Sequence, residues 1–282
     1  PTVKGPSGVP TIVTSYSDFQ NKFGDVFKSG SDSQQFLTSH AAEQYLKNSD
    51  TLTVVRILAN GGGSVAGASA TIPTGSGAPY GVKAGGSTTS FVLKTISDGS
   101  IMNNADSTAT TNSINLSGSR HNIRYEVSNV NVTKGTFTLA IRRGDDTIKR
   151  KQTLETFTNI NLDPNSNNFI AKAIGDQVQT VRTDENGLPF LQLSGSYPNK
   201  SRFVIVDTVN TTIDYLDENG NIRINAASSS LPAAGSGSSH GGFSGGSDGH
   251  SGFDALGNQN GDCGTIVNFY ENITETNSQG FN

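Results

Sequence analysis

The sequence contains no tryptophan, one cysteine, Cys263, and one methionine, Met102. A single cysteine excludes an intramolecular disulfide framework and fits synthesis in a reducing compartment. No apolar run approaches the roughly 18 residues a helix needs to cross a bilayer, and none has the composition of a signal-peptide core, so no membrane partner is expected. Charge is scarce too: Asp, Glu, Lys and Arg make up 16% of residues, with a net charge of -4. Without a basic stripe to neutralise phosphates, nucleic acid is not an expected partner.

What the chain has instead is 33 glycines and abundant Ser, Thr and Asn, with hydrophobic residues at only 33%. That composition favours turn-rich β structure with exposed loops over helical bundles. Its 282 residues allow two or three modest domains. Pro1 in place of an initiating Met, and a polar tail ending at Asn282, lead us to expect a piece of a longer product.

Four segments follow from the pattern. Residues 1–58 are expected to be an α/β segment: a β-rich run from Val9 to Thr14, a helix capped by Ser15 and Asp18 and closed by Gly24, a second helix on Leu37, Ala41 and Tyr45, and Leu52 to Leu58 as a strand buried on both faces. Residues 59–113 are rich in Gly, Ser and Thr and are expected to form a small inserted β domain with a thin core. Residues 114–230 carry repeated strand signals, including the alternating runs Asn122 to Val127 and Gly135 to Arg143, and turns at Gly144-Asp145-Asp146 and Asn219-Gly220. Residues 231–282 are expected to be a Gly/Ser-rich loop leading out of that domain, with Val267 to Ile273 as one further strand.

The most informative stretch is Leu154 to Ile174. Asp163 and Pro164 end an extended run, because Pro supplies no N–H to a ladder. Asn165 or Ser166 can then cap a helix bearing Phe169, Ile170, Ala173 and Ile174, with Gly175 closing it. The fold class expected is α+β: a mixed or antiparallel sheet domain with flanking helices, plus the inserted β domain.

His240-Gly-Gly-Phe-Ser-Gly-Gly246 contains a G-x-S-x-G match on Ser244, which in a hydrolase would be a nucleophile on a strained elbow. No strand-like run precedes it, and His240 and His250 share its Gly-rich segment, so a chance match is the better account. Asp184-Glu-Asn-Gly187 and Asp217-Glu-Asn-Gly220 each match half a calcium loop, but Ser196 and Ser229 stand where the bidentate carboxylate belongs, so turns are expected. His240, His250 and Asp248 could hold a metal only weakly, and solvent-facing histidines are the simpler reading. Asn115, Asn131, Asn199, Asn210 and Asn272 satisfy N-x-[ST] as a consequence of composition. No catalytic, cofactor-binding or metal residue is therefore assigned. One patch is singled out: Arg142, Arg143, Lys149, Arg150 and Lys151 surround the Gly144 turn. Such a cluster is usually a solvated hairpin end, but it could also dock on an acidic neighbouring subunit and set register.

Four segments, in order, resemble contractile bacteriophage tail sheath proteins. Gly5 to Gly24 is similar to the family's "GP…P…V.S…F…FG" stretch, Thr53-Val-Val-Arg-Ile57 to its "VVRV" strand, Phe137 to Ile174 to its hairpin, "D-P-x-S" turn and helix, and Ser244 to Gly249 to its "GGSDG" loop. Residues 60–112 match no part of it, and the family's C-terminal core and extreme N-terminal arm lie outside this sequence. The resemblance implies a structural, non-enzymatic protein of the phage virion, assembled in the host cytoplasm without a cofactor. Its copies would stack as hexameric rings around a tail tube and contract to drive that tube through the host envelope. Tube and baseplate would be contacted through regions outside this sequence, and the family joins neighbours through terminal arms, so this piece alone is expected to be monomeric. A β-rich carbohydrate-binding or adhesin module is the alternative, although scattered tyrosines and the lack of tryptophan give it no aromatic platform.

Overall fold

The computed structural model describes residues 2–29, 31–58, 65–75, 89–104, 117–147, 149–222, 230–233 and 241–249. Two compact units divide the chain: residues 1–68, 97–101 and 245–282 form the first, and residues 69–96 and 102–244 the second. The α+β expectation is overturned. Strands make up 44% and three helices 14% of the described structure, in several small antiparallel sheets, so the fold is mainly β. The helical signals were genuine but local, and each produced only a short helix.

In the first unit, β1 (Thr11–Val13) pairs antiparallel with β4 (Leu52–Val54), and α1 (Tyr16–Phe23) follows β1. The Ser15 hydroxyl accepts from Asp18 N at 3.1 Å, and Gly24 ends the helix at φ 78°, as the capping pattern anticipates. Phe19 and Phe23 bury the inner face, their ring centroids 5.4 Å apart, against Val13 and Ala42.

A hairpin, β2 (Val26–Ser29) and β3 (Asp32–Gln35), separates the helices; it was missed because its strands are short and largely polar. The second helix, α2 (Leu37–Leu46), presents a different face from the one expected. Leu37 is 80% exposed and Tyr45 52%, whereas Ser39 and Ala42 are buried. A polar cluster sets this rotation. Asp25 accepts from the Ser39 hydroxyl at 2.9 Å, from Gln35 at 2.6 Å and from Gln20 at 2.7 Å. Leu52 to Leu58 is not buried on both faces either, since β4 has only β1 beside it and Val55 and Ile57 remain exposed.

Two strands, β5 (Val65–Pro73) and β6 (Thr89–Asp98), have residues in both units: 65–68 and 97–98 belong to the first, 69–73 and 89–96 to the second. These are the described strands of the segment expected to be an inserted domain. In the second unit a meander follows: β7 (Ile123–Asn131), β8 (Thr136–Arg143) and β9 (Thr153–Ile160), in sheet order β7-β8-β9. Phe137, Leu139, Ile141, Tyr125 and Val127 are buried, and Phe137 stacks on Phe91 at 5.6 Å.

After β9 the Asp163-Pro164 turn forms, but its polar residues do not cap the helix. Asp163 Oδ1 accepts from Asn165 N, and the Ser166 hydroxyl accepts from Asn161 Nδ2 at 2.8 Å and from Asn168 N at 3.1 Å, so the Ser166 side chain is used inside the turn. The helix α3 (Ile170–Ile174) starts later, from Phe169, with no side-chain cap. A hairpin, β10 (Val178–Thr183) and β11 (Pro189–Ser194), comes next, and then β12 (Val204–Val209), which pairs with β6 within the second unit. The last strand, β13 (Ser247–Asp248), pairs with Val65 and Ala66 of β5 within the first. Part of the stretch expected to be exposed loop is core, because Leu231 and Phe243 are fully buried. Cys263, His240, His250, Asn115, Asn272 and the strand anticipated at Val267 to Ile273 lie outside the described residues.

In the second unit, buried Tyr215 donates its hydroxyl to Val132 O at 2.5 Å. Burial pushes this phenol up from 10.0 to about 12. The folded form therefore holds the proton more tightly than the unfolded chain, and that stabilisation is complete below pH 10 and lost as pH rises through 12. A Tyr215→Phe variant is expected to lose the part of the alkaline denaturation profile that lies between those values, as measured by urea unfolding at stepped pH.

Candidate functional site

The β8–β9 turn is built around a pairing that is unfavourable taken alone. Arg124 on β7 and Arg142 on β8 are directly opposite in the ladder, so two like charges share one face, and both side chains are essentially buried. Asp146, just beyond β8, resolves the conflict. Its Oδ2 accepts from Arg142 Nε at 2.7 Å and its Oδ1 from Arg142 Nη2 at 2.9 Å, while Arg124 Nη1 lies 3.4 Å from Oδ1. The remaining Arg142 nitrogen donates to Glu126 Oε2 at 2.8 Å, and Lys151 completes the chain at 2.5 Å from Glu126 Oε1.

The charges tune one another. Burial alone would raise the Glu126 carboxyl, but the hydrogen bond from Lys151 and the charge of Arg142 outweigh it and hold the group below its ordinary 4.5. Burial lowers Arg124, with Asp146 opposing. Arg124 Nε has no hydrogen-bond partner among the described residues. The turn itself depends on Gly144, whose N–H donates to Asn122 O at 2.9 Å and whose Cβ, if present, would fall on the Asn122 side chain.

The five basic residues expected to form one surface patch are thus divided. Arg142 is removed from it, because its guanidinium is wholly inside. Arg143 pairs with Asp145 and is about one-third exposed. Lys151 is half-exposed and tied to Glu126. Lys149 and Arg150 are exposed and carry no ion pair among the described residues, so they are the free cations of the turn. The sequence signal for the buried half was present in Arg124 and Glu126, two opposite charges on one side of a strand whose other side is Ile123, Tyr125 and Val127.

In the first unit a second constellation joins residues far apart in sequence. Buried Arg56 sends one nitrogen to Gly5 O at 2.9 Å and to Asp98 O at 2.7 Å. Asp98 Oδ2 accepts from Ser7 N and from the Ser7 hydroxyl, both at 2.8 Å. Asp248 accepts from Ser100 N at 3.2 Å and from the Ser100 hydroxyl, and a Cβ on Gly99 would fall on its Oδ1. Desolvation lowers the Arg56 guanidinium, and the charges of Asp248 and Asp98 offset part of that effect. Sequence reasoning did not anticipate this cluster, since its members are separated by tens of residues.

Ser244 does not stand on a strained elbow. Its N–H donates to Ser69 O at 2.9 Å and its carbonyl accepts from Ser69 N at 2.7 Å, which makes it an ordinary bridge rung with an exposed side chain. The preceding glycines serve close packing: a Cβ on Gly241 would meet the Tyr125 ring, and one on Gly242 would meet Asn104. Asp184 and Asp217 are turn formers. Asp184 Oδ1 accepts from Asn186 N and Leu188 N, and Asp217 Oδ1 accepts from Asn219 N and Asn221 N.

No family model and no curated protein matches the chain.

Proposed function

We propose that this protein is a structural subunit of a contractile tail sheath, a virion component without chemistry of its own. It would polymerise with other copies as stacked hexameric rings and contract to drive a tail tube through a cell envelope. The observation that carries the proposal is the Arg56 cluster. Three of the four segments that resemble sheath proteins contribute to it: Gly5 and Ser7 from the first, Arg56 from the second and Asp248 from the last. Segments that share a resemblance only by chance have no reason to converge on one buried arginine. Their polar groups are used in internal hydrogen bonds, which suits a rigid building block whose work is done by repacking contacts between copies.

Negative-stain electron microscopy of the natural gene product carrying this sequence tests the reading. Rings or tubes are the expected result. A persistently monomeric product that binds glycans would instead favour the adhesin alternative.

A further inference from the structure

The β10–β11 hairpin stands apart from the rest of the second unit. Every residue of both strands is exposed, and the two strands form a sheet of their own. An isolated two-stranded ribbon is marginal in water, so a hairpin that exposes apolar side chains on both faces is poorly explained by its own stability. Leu188 is 64% exposed and Leu193 55%, and Val181, Phe190 and Leu191 are nearly as open. The ladder sorts these residues. Val181 lies opposite Leu191, Gln179 opposite Leu193 and Thr183 opposite Pro189, giving one face with no charge on it. The tip carries Asp184 and Glu185.

The hairpin is firmly anchored at its root. Asp176 Oδ1 accepts from Ser196 N at 2.9 Å and Tyr197 N at 2.6 Å, and Asn199 bonds both Gln177 N and Gln177 O across the two strands. A Cβ on Gly175 would fall on the Asn199 backbone, and one on Gly195 would sit 2.5 Å from Asp176 O. The root is thus tightly packed and hydrogen-bonded, and the arm it carries is acidic at its end and uncharged on one side.

We propose that this arm docks on a second copy of the chain, its Asp184-Glu185 tip against the free cations Lys149 and Arg150 of the β8–β9 turn. Charge complementarity selects the partner. The tip is acidic, while the turn exposes two cations that no described residue neutralises. Beyond that turn, β9 exposes Leu154, Thr156 and Thr158, an uncharged row that matches the uncharged hairpin face. Because tip and turn are different surfaces, the contact is head-to-tail, and repetition builds a ring or helix. The inference rests on the sheath reading for its setting and names the partner surface within it. One arm on one turn is a single contact, and dilute copies are expected to remain monomeric until assembly holds them together.

Cysteine cross-linking tests the pairing. In a Cys263→Ser background, one sample of the chain carries Asn186→Cys and a second Gln152→Cys, exposed neighbours that leave the four charges in place. The two are mixed at high concentration under mild oxidation. A mixed dimer is expected at several times the yield of a control pair in which Lys47→Cys replaces Gln152→Cys. That excess should fall several-fold in 0.5 M salt and on adding Leu191→Ser and Leu193→Ser. A yield no higher than the control overturns the contact. Rings in micrographs without the cross-link would also remove it while leaving the sheath reading intact. A cross-link in a product that never assembles would uphold the contact and remove the sheath.

Discussion

Replacing Asp146 with alanine is expected to destabilise the second unit by about 3–5 kcal/mol, the usual cost of removing one partner from a buried ion pair. The magnitude follows from what is left behind. Arg124 and Arg142 are fully inside the protein, directly opposite one another, and Asp146 is the carboxylate that touches both. Glu126 reaches only Arg142 and already shares its charge with Lys151. Asp146 also accepts the Gln152 N–H at 2.9 Å, so the start of the return path to β9 loosens with it. The adjacent acid supplies the control. Asp145 pairs with Arg143 at the surface, where each side chain is about one-third exposed, and Asp145→Ala is expected to cost no more than about 1 kcal/mol. Urea denaturation of the two variants side by side measures the difference. Equal, small losses would show that the buried arginines find other compensation.

The second large effect is expected from Arg56→Met, which keeps most of the volume of the side chain and removes its charge and donors. Asp98 O loses its arginine donor, Gly5 O keeps only the Asp98 N–H at 3.0 Å, and Asp98 and Asp248 lose a nearby cation. Hydrogen bonds from charged groups contribute roughly 1.5–3 kcal/mol each, so a loss of about 2–4 kcal/mol is expected. The damage should be local. Amide hydrogen exchange is expected to accelerate at Ser7, Gly8 and Asp98, whose N–H groups bond within this cluster, and to stay slow along β7 and β8. Uniform acceleration would mean that the two units unfold as one, and unchanged exchange would mean that Arg56 contributes little to holding its neighbours.

Sequence periodicity located the strands far better than it predicted burial. The alternation in Asn122 to Val127 and Gly135 to Arg143 identified β7 and β8, because period two is imposed by the pleat itself. It did not reveal that the charged side of these strands is also enclosed, since burial of Arg124 depends on Asp146, more than twenty residues away. The helices failed in the same manner. Leu37 and Tyr45 have the right spacing for an inner face, but the Asp25 cluster attracts Ser39, and a hydroxyl displaces leucine from the interior. The α+β expectation overweighted three short helices against strands that are polar, brief or Gly-rich and so give weak local signals. At the candidate site, the turn, its glycine and its basic composition were legible. The division into a buried Arg142 and exposed Lys149 and Arg150 was not, because it depends on which residues face each other across the ladder.

The discontinuous make-up of the first unit has a consequence for biosynthesis. Residues 1–68 leave the ribosome before the second unit does, yet the strand rung and the carboxylate supplied by Ser247 and Asp248 come from a piece translated after the whole of that unit. The second unit has all of its residues once Ser244 has emerged, while residues 1–68 still wait for residues 245–249. A nascent chain stalled before Gly245 would therefore carry a complete second unit behind an unfinished first one, and Arg56 would become fully enclosed only at the end of this order of events.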